Sequence, residues 1–338
     1  MNPIQDGAAT TLLTSAPLLV TLVKLVDTIA VPPPPSQRPR GRPKVYSDRL
    51  FLKALIIMVV RHLRKVHELL AVLAEPTAEM QTLRALLTEK GRYPTRRTWE
   101  RRLKAMPDTL PAQIGCLARY RVALIQPWAA YGRAVAIDST ILLANGGVWH
   151  KKDRDKGVVP HTSIDTAAHW TKSGWHGWCY GWKLHLVTTV AAVWIPLAAE
   201  LTPANAADNE VAPALLRELP AEARFVLGDL HYNAPNVQEC CEQTERILVA
   251  TQYGPYPHTG DGVEVRRMFH KLRSAAIENF NEQFKGIFDG HGQVPTKGLR
   301  NTQRFALGAI LLYQLALLYR FQHAQPLRVG LKAFLKAA

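Results

Sequence analysis

Residues 135–140 read VAIDST. A short apolar run ends on a carboxylate, and two hydroxyls follow. The run has the β-branched character of a buried strand, and residues 133–140, RAVAIDST, read as one. Asp138 then admits two readings. It is a strand terminus that meets solvent or caps the next turn, or it is an acid that a rigid element holds for chemistry. The rest of the chain bears on the choice.

The 338 residues carry 42 Lys and Arg against 27 Asp and Glu, a formal net charge of +15. With 47% hydrophobic and 20% charged residues, the chain is a folded protein rather than a disordered one, long enough for two or three domains. The basic surplus points to a polyanionic partner, nucleic acid first. Cys116, Cys179, Cys240 and Cys241 form no CxxC pair and read as reduced, packed thiols, which fits a cytoplasmic protein. No GxGxxG or GxxxxGKS loop occurs, which argues against a nucleotide cofactor. The apolar stretch LLTSAPLLVTLVKLVDTIAV, residues 12–31, is broken by Pro17, Lys24 and Asp27. It reads as a short amphipathic helix, neither signal peptide nor membrane span, so no membrane partner is expected.

Residues 1–44 form an N-terminal segment that closes on PPPPSQRPRGRPK, residues 32–44. Four consecutive prolines make a stiff, extended linker. Its RGRP, with Arg40 and Arg42, resembles an AT-hook lying in a narrow A/T-rich minor groove, where concentrated negative potential draws arginine. A solvated basic linker is the other reading. Residues 45–125 are read as a helical DNA-binding domain. Ser47 is a candidate N-cap for DRLFLKALIIMVVRHL, and KVHELLAVLAE and AEMQTLRALLTEK follow. In TRRTWERRLKAM, residues 95–106, Trp99, Leu103 and Met106 share one helical face, while Arg97, Arg101 and Lys104 share another. Between Arg38 and Lys104 there are 17 Lys and Arg and 6 Asp and Glu, a surplus of 11. Short helices ending in a basic one suggest a helix-turn-helix-like unit whose basic stripe meets phosphate.

From about 130 to 325 the pattern changes. Strands are expected at 133–140, 180–190 and 191–201, the last two as a hairpin, with 141–178 irregular. A helix at 208–219, a strand at 223–229, a helix at 233–244 and a strand at 245–251 follow. A long amphipathic helix spans 271–288, and an apolar one about 303–321. The order β, β, β, α, β, α, β, α implies a mixed sheet with helices on both faces.

In such a sheet the strands ending on Asp138 and Asp229 can be neighbours, and their carboxylates then share one site. Two adjoining carboxylates repel each other unless a cation lies between them. Oxygen-only ligands favour Mg²⁺ or Mn²⁺. Helix 271–288 offers Glu278 at the margin of its apolar face, Ile277, Phe280, Phe284 and Phe288. Lys271, Glu282 and Lys285 share a side with Glu278. That face reads either as a third metal ligand flanked by phosphate-holding lysines or as an ordinary solvated Glu–Lys surface.

Five pieces in order carry a family likeness: AIDST (136–140), GWKLHL (181–186), LTPANAADNE (201–210), LGDLHYN (227–233) and IENFNEQFK (277–285). Together they resemble the DDE transposases of bacterial insertion sequences, over roughly residues 43–322. The resemblance implies an RNase H-like α/β catalytic domain after the all-α, helix-turn-helix-like domain. It implies catalytic and metal-binding roles for Asp138, Asp229 and Glu278, with Lys285 matching the lysine of the family's Y-R-E-K-like helix signature. It implies two Mg²⁺ or Mn²⁺ ions, double-stranded DNA as partner (terminal inverted repeats and target), a homodimer in the synaptic complex, and work at the nucleoid. Two positions depart from the family. Ser274 stands where an Arg is usual, with Arg273 beside it and Lys271 near the Glu278 face. His231 stands where a Gly is usual. Competing expectations are an RNase H-like nuclease that does not join strands, and a decayed protein that binds DNA without cutting it. Trp170, Trp175, Trp178 and Trp182 read as core packing or as a stacking surface for an unpaired base. His161, His169, His176 and His185 have no zinc-ligand spacing.

Overall fold

A computed structural model describes residues 17–29, 45–128, 133–174, 177–191, 193–250, 261–288, 292–328 and 330–336. The basic linker with Arg40 and Arg42, and Trp175 and His176, lie outside the described residues.

Helices come first: α1 (Leu18–Leu25), α2 (Asp48–Val60), α3 (Val66–Leu73), α4 (Ala78–Leu86), α5 (Arg96–Ala105) and α6 (Leu110–Ile125). Ser47 caps α2, its hydroxyl accepting from the Leu50 amide. Thr77 and Thr95 cap α4 and α5 in the same way. On α5 the apolar stripe is buried as its spacing predicts: Trp99 and Leu103 are fully covered and Met106 nearly so. The Phe51 ring meets Trp99 edge-on at 5.0 Å. Arg97, Arg101 and Lys104 face solvent. Helix α6 falls inside the expected helical region 45–125, but its bounds are not marked by the sequence pattern. Its mixed surface hides the apolar period, yet Leu110, Ile114, Leu117 and Val122 are all buried.

The second half is a six-stranded mixed sheet flanked by helices. Its strands are β1 (Ala134–Leu143), β2 (His169–Ser173), β3 (Gly177–Thr189), β4 (Pro196–Pro203), β5 (Phe225–Gly228) and β6 (Ile247–Ala250). The long β3 pairs antiparallel with β1 along one edge, and with β2 and then β4 along the other. Strands β5 and β6 continue beyond β1 in parallel. The helices are α7 (Lys151–Asp155), α8 (Asp208–Arg217), α9 (Pro235–Gln243), α10 (Asp261–Lys285), α11 (Leu299–Gln322) and α12 (Leu331–Leu335). The hairpin and the alternating βα order are as expected. Two boundaries are corrected. Residues 141–178 are not wholly irregular, because they include the end of β1, α7 and β2. Asp138 does not end its strand, because β3 is long enough to keep β1 extended for five further residues.

One core runs through both halves. It joins α1 and α2 to α11, and α11 to α6, β3 and β4. Helix α11 is apolar and long enough to span a membrane, yet most of it is buried in this core. Its Gln314 is fully buried and donates to the Ile114 carbonyl at 3.1 Å and the Pro196 carbonyl at 2.7 Å, tying α6 and β4 to α11. A smaller cluster holds α10 on the sheet: Ala134, Ala136, Val190 and Leu227 meet Ala276 and Ile277.

Gly181, in GWKLHL, is required by close backbone approach. A Cβ there would collide with the Leu142 carbonyl across the β1–β3 ladder. Gly181→Ala is expected to cost about 2–4 kcal/mol of stability through strain in that ladder, read as a lower urea midpoint.

Candidate active site

Parallel pairing of β1 with β5 covers only Ala134, Val135 and Ala136, opposite Phe225, Val226 and Leu227. Continued two residues further, the same register sets Asp138 opposite Asp229. Strand β5 ends at Gly228, so the β1 edge lies open there. Asp229 opens a tight turn, its Oδ1 accepting from the His231 amide at 2.9 Å. The turn folds Tyr232 back under Gly228, where a Cβ would strike the Tyr232 ring. His231 keeps its backbone out of the left-handed region. The loss of glycine at this position therefore costs the turn no strain, and the His231 ring stands 3.3 Å from the Asp229 carboxylate.

Neighbouring residues of β1 point to opposite faces of the sheet. On the α10 face, Asp138 Oδ1 accepts from the Ser139 amide at 2.8 Å, and Arg273 donates to Oδ2 at a long 3.4 Å. The Asp138 side chain keeps a quarter of its surface. Burial pushes its pKa up to about 7; the Asp229 charge adds to this, and Arg273 only partly offsets it. On the α8 face, Ser139 reaches Asp208, the first residue of α8. Lys183 bonds both Asp208 oxygens, at 3.3 and 3.2 Å, and the His185 ring lies 3.2 Å away. Burial opposes the Asp208 charge, but His185, Ser139 and Lys183 outweigh it and hold the pKa at about 2. The buried Tyr232 hydroxyl has no partner among the described residues, and Asp138, Asp208 and Asp229 are close enough that their charges raise its pKa.

The structure thus brings Asp138 and Asp229 together, with Asp208 behind them. Glu278 is exposed, and it is not among the charges acting on Asp138. It lies five residues beyond Arg273, about 7.5 Å along α10 and roughly 140° around it. Lys271 is exposed. Lys285 is partly buried at the far end of α10, its pKa lowered by burial, beside Trp170, Trp178 and Cys179. Of the tryptophans, Trp182 is fully buried, Trp170 is partly buried and Trp178 is 68% exposed, so packing and surface roles divide among them. Among the described residues no three acids, histidines or cysteines are arranged to hold a metal ion. The fit for a divalent ion rests on two carboxylates at one open strand edge and the orphaned Tyr232 hydroxyl. Asp208, Lys183 and His185 were missed as a group. Their signal was present: two cationic side chains two apart on one strand, and an acid opening the helix after the hairpin.

In comparisons with known proteins, residues 132–315, more than half of the chain, match the family described as the transposase DDE domain. The match spans Asp138, Asp208, Asp229 and Glu278. No curated protein and no solved structure matches the chain.

The raised pKa of Asp138 sets a sign. The folded state favours the protonated acid, so this group's contribution is greatest below about pH 4 and is lost as pH rises to about 7. Asp138→Asn removes that loss. Its stability advantage over the parent protein, in urea titrations across this window, should grow with pH and level off above 7. The expected gap is on the order of 2 kcal/mol after allowance for the partial exposure.

Proposed function

The chain belongs to the DDE transposases, with an RNase H-like catalytic domain, and from there we propose that it is an insertion-sequence transposase that binds its element's ends, cuts them and joins them to target DNA. The observation that carries this reading is the meeting of Asp138 and Asp229 at the open edge of β1. Family members use divalent metal ions. Here Asp138 and Asp229 would hold Mg²⁺ or Mn²⁺, with Glu278 of α10 as the third ligand of a two-ion site. Bound there, such ions would activate water or a 3′-hydroxyl and stabilise the leaving oxygen of the scissile phosphate.

The chain's own residues supply the setting. Asp208, held by Lys183 and His185, ties α8 to β1 and β3 directly behind Asp138. Arg273 balances part of the Asp138 charge. Lys285 would hold phosphate beyond Glu278. Arg97, Arg101 and Lys104 form the exposed basic face of α5 that would meet duplex DNA, helped by Arg40 and Arg42, Lys271 and Arg273. Joining two ends requires a dimer in the synaptic complex, working on nucleoid DNA in the cytoplasm.

The exposed position of Glu278 favours one competing reading, a protein that recognises DNA and no longer cuts it. A cleavage and strand-transfer assay on end-sequence duplex in Mg²⁺ or Mn²⁺ separates the two. Asp138→Asn, Asp229→Asn and Glu278→Gln should each lower cleavage by about a hundredfold or more while duplex binding holds. Cleavage unchanged in Asp138→Asn would end the assignment. Binding by the parent protein with no cleavage would favour the decayed form. Cleavage without joining to a target plasmid would mark a nuclease.

A further inference from the structure

A second cationic site lies away from the carboxylates, where α3 and α5 meet the first turns of α11. It is a cleft of about 460 Å³. Arg64, Lys65, Arg96, Lys104, Arg300 and Arg304 line it, against a single carboxylate, Glu100. Glu100 is taken up by Arg96, at 2.8 Å. Arg300 is already engaged by Asp108, in a two-pronged pair at 2.6 and 2.7 Å.

Arg304 is the unusual member. It is only 7% exposed. Burial alone lowers its pKa, with no acid acting on it. Its guanidinium has no hydrogen bond or ion pair among the described residues. A mostly covered guanidinium without a partner is costly, and the Arg304 nitrogens still reach the cleft. The cost is offset if an anion enters the cleft and takes its donors in a fork. The first turns of α5 and α11 contain no acid, so both helix dipoles favour negative charge there as well.

We propose that this cleft binds a backbone phosphate of duplex DNA, with Arg304 as its buried anchor. The inference rests on the end-binding reading above and adds a site to it. His67 is the one ring in the lining, so no aromatic platform for a nucleobase is offered and the contact is to the sugar-phosphate backbone. Lys104 belongs both to this cleft and to the exposed stripe of α5. A duplex lying along that stripe therefore runs into the cleft. The cleft in turn opens on α11, the helix that joins the N-terminal helices to the sheet. DNA held here is gripped at the junction of the two halves.

The test uses the full chain and duplex DNA, with binding measured by fluorescence anisotropy from low to high salt. Arg304→Met keeps the packing volume and removes an uncompensated charge. It should melt no lower than the parent protein. It should bind duplex about 5- to 10-fold more weakly, with the slope of log K against log salt shallower by about 1. The paired surface change Arg64→Gln with Lys65→Gln should weaken duplex binding and flatten the slope by up to about 1, the share of one phosphate, and it keeps the test open if Arg304→Met fails to fold. If the parent protein binds duplex and Arg97→Ala with Arg101→Ala weakens it, while both cleft variants bind as before, the cleft proposal is overturned and the end-binding reading stands. If the parent protein binds no duplex, both fall. Inorganic phosphate serves as a probe in thermal melts. If it stabilises the parent protein but not Arg304→Met, while DNA affinities are equal, the cleft holds a free anion and the proposal is overturned.

Discussion

The parallel ladder between β1 and β5 stops after three residues, and the candidate site exists because it stops. Had β5 run on, Asp138 would face a paired strand, and its carboxylate would be crowded out or buried without access. Because β5 ends at Gly228, one edge of β1 is bare at the point where the first acid stands. The turn after β5 then delivers the second acid to the same place. Strand β3 makes this possible from the other side. Its thirteen residues hold β1 extended and rigid past the end of β5, so the open edge remains ordered.

The two acids on successive faces of β1 and behind it are treated in opposite ways. Asp208 is surrounded by Lys183, His185 and Ser139 and stays ionised down to strong acid. Asp138 has one long contact to Arg273 and a neighbouring carboxylate, and burial pushes its pKa up to about 7. A structural acid is neutralised by the fold. An acid kept short of positive charge is one that an added cation would stabilise most. This contrast in charge balance, more than the presence of carboxylates, distinguishes the two roles.

The strand around AIDST, the following hairpin and the alternation of β and α were legible in period and turn chemistry. So were the cap at Ser47 and the two faces of α5. The extent of β1 was not, because STILL continues a strand only when a partner as long as β3 lies beside it. The bounds of α6 were hidden because its buried residues contact α11 and β4 over a wide arc, which blurs any single stripe. The pairing of Asp138 with Asp229 followed from strand order. The place of Glu278 did not, because a helix's rotation about its own axis is set by packing. Here Arg273 and Ile277 take the sheet side, Phe280 meets Tyr313 of α11, and Glu278 is left exposed. Arg304 was invisible for a related reason. An arginine that follows the polar RNTQ at the start of a helix looks like a surface residue until the neighbouring helices are seen to cover it.

The unbroken core shared by the N-terminal helices and the sheet bears on how such a protein can diversify. Where recognition and chemistry sit in separately folded modules, recombination between genes can exchange one for another. Here α11 is packed on both sides, and a transplanted set of N-terminal helices would arrive with the wrong surface for it. Changes that leave the shared core intact are therefore point changes on exposed faces such as that of α5, not exchanges of the whole N-terminal unit. The shared core thus ties the two halves into one unit of inheritance.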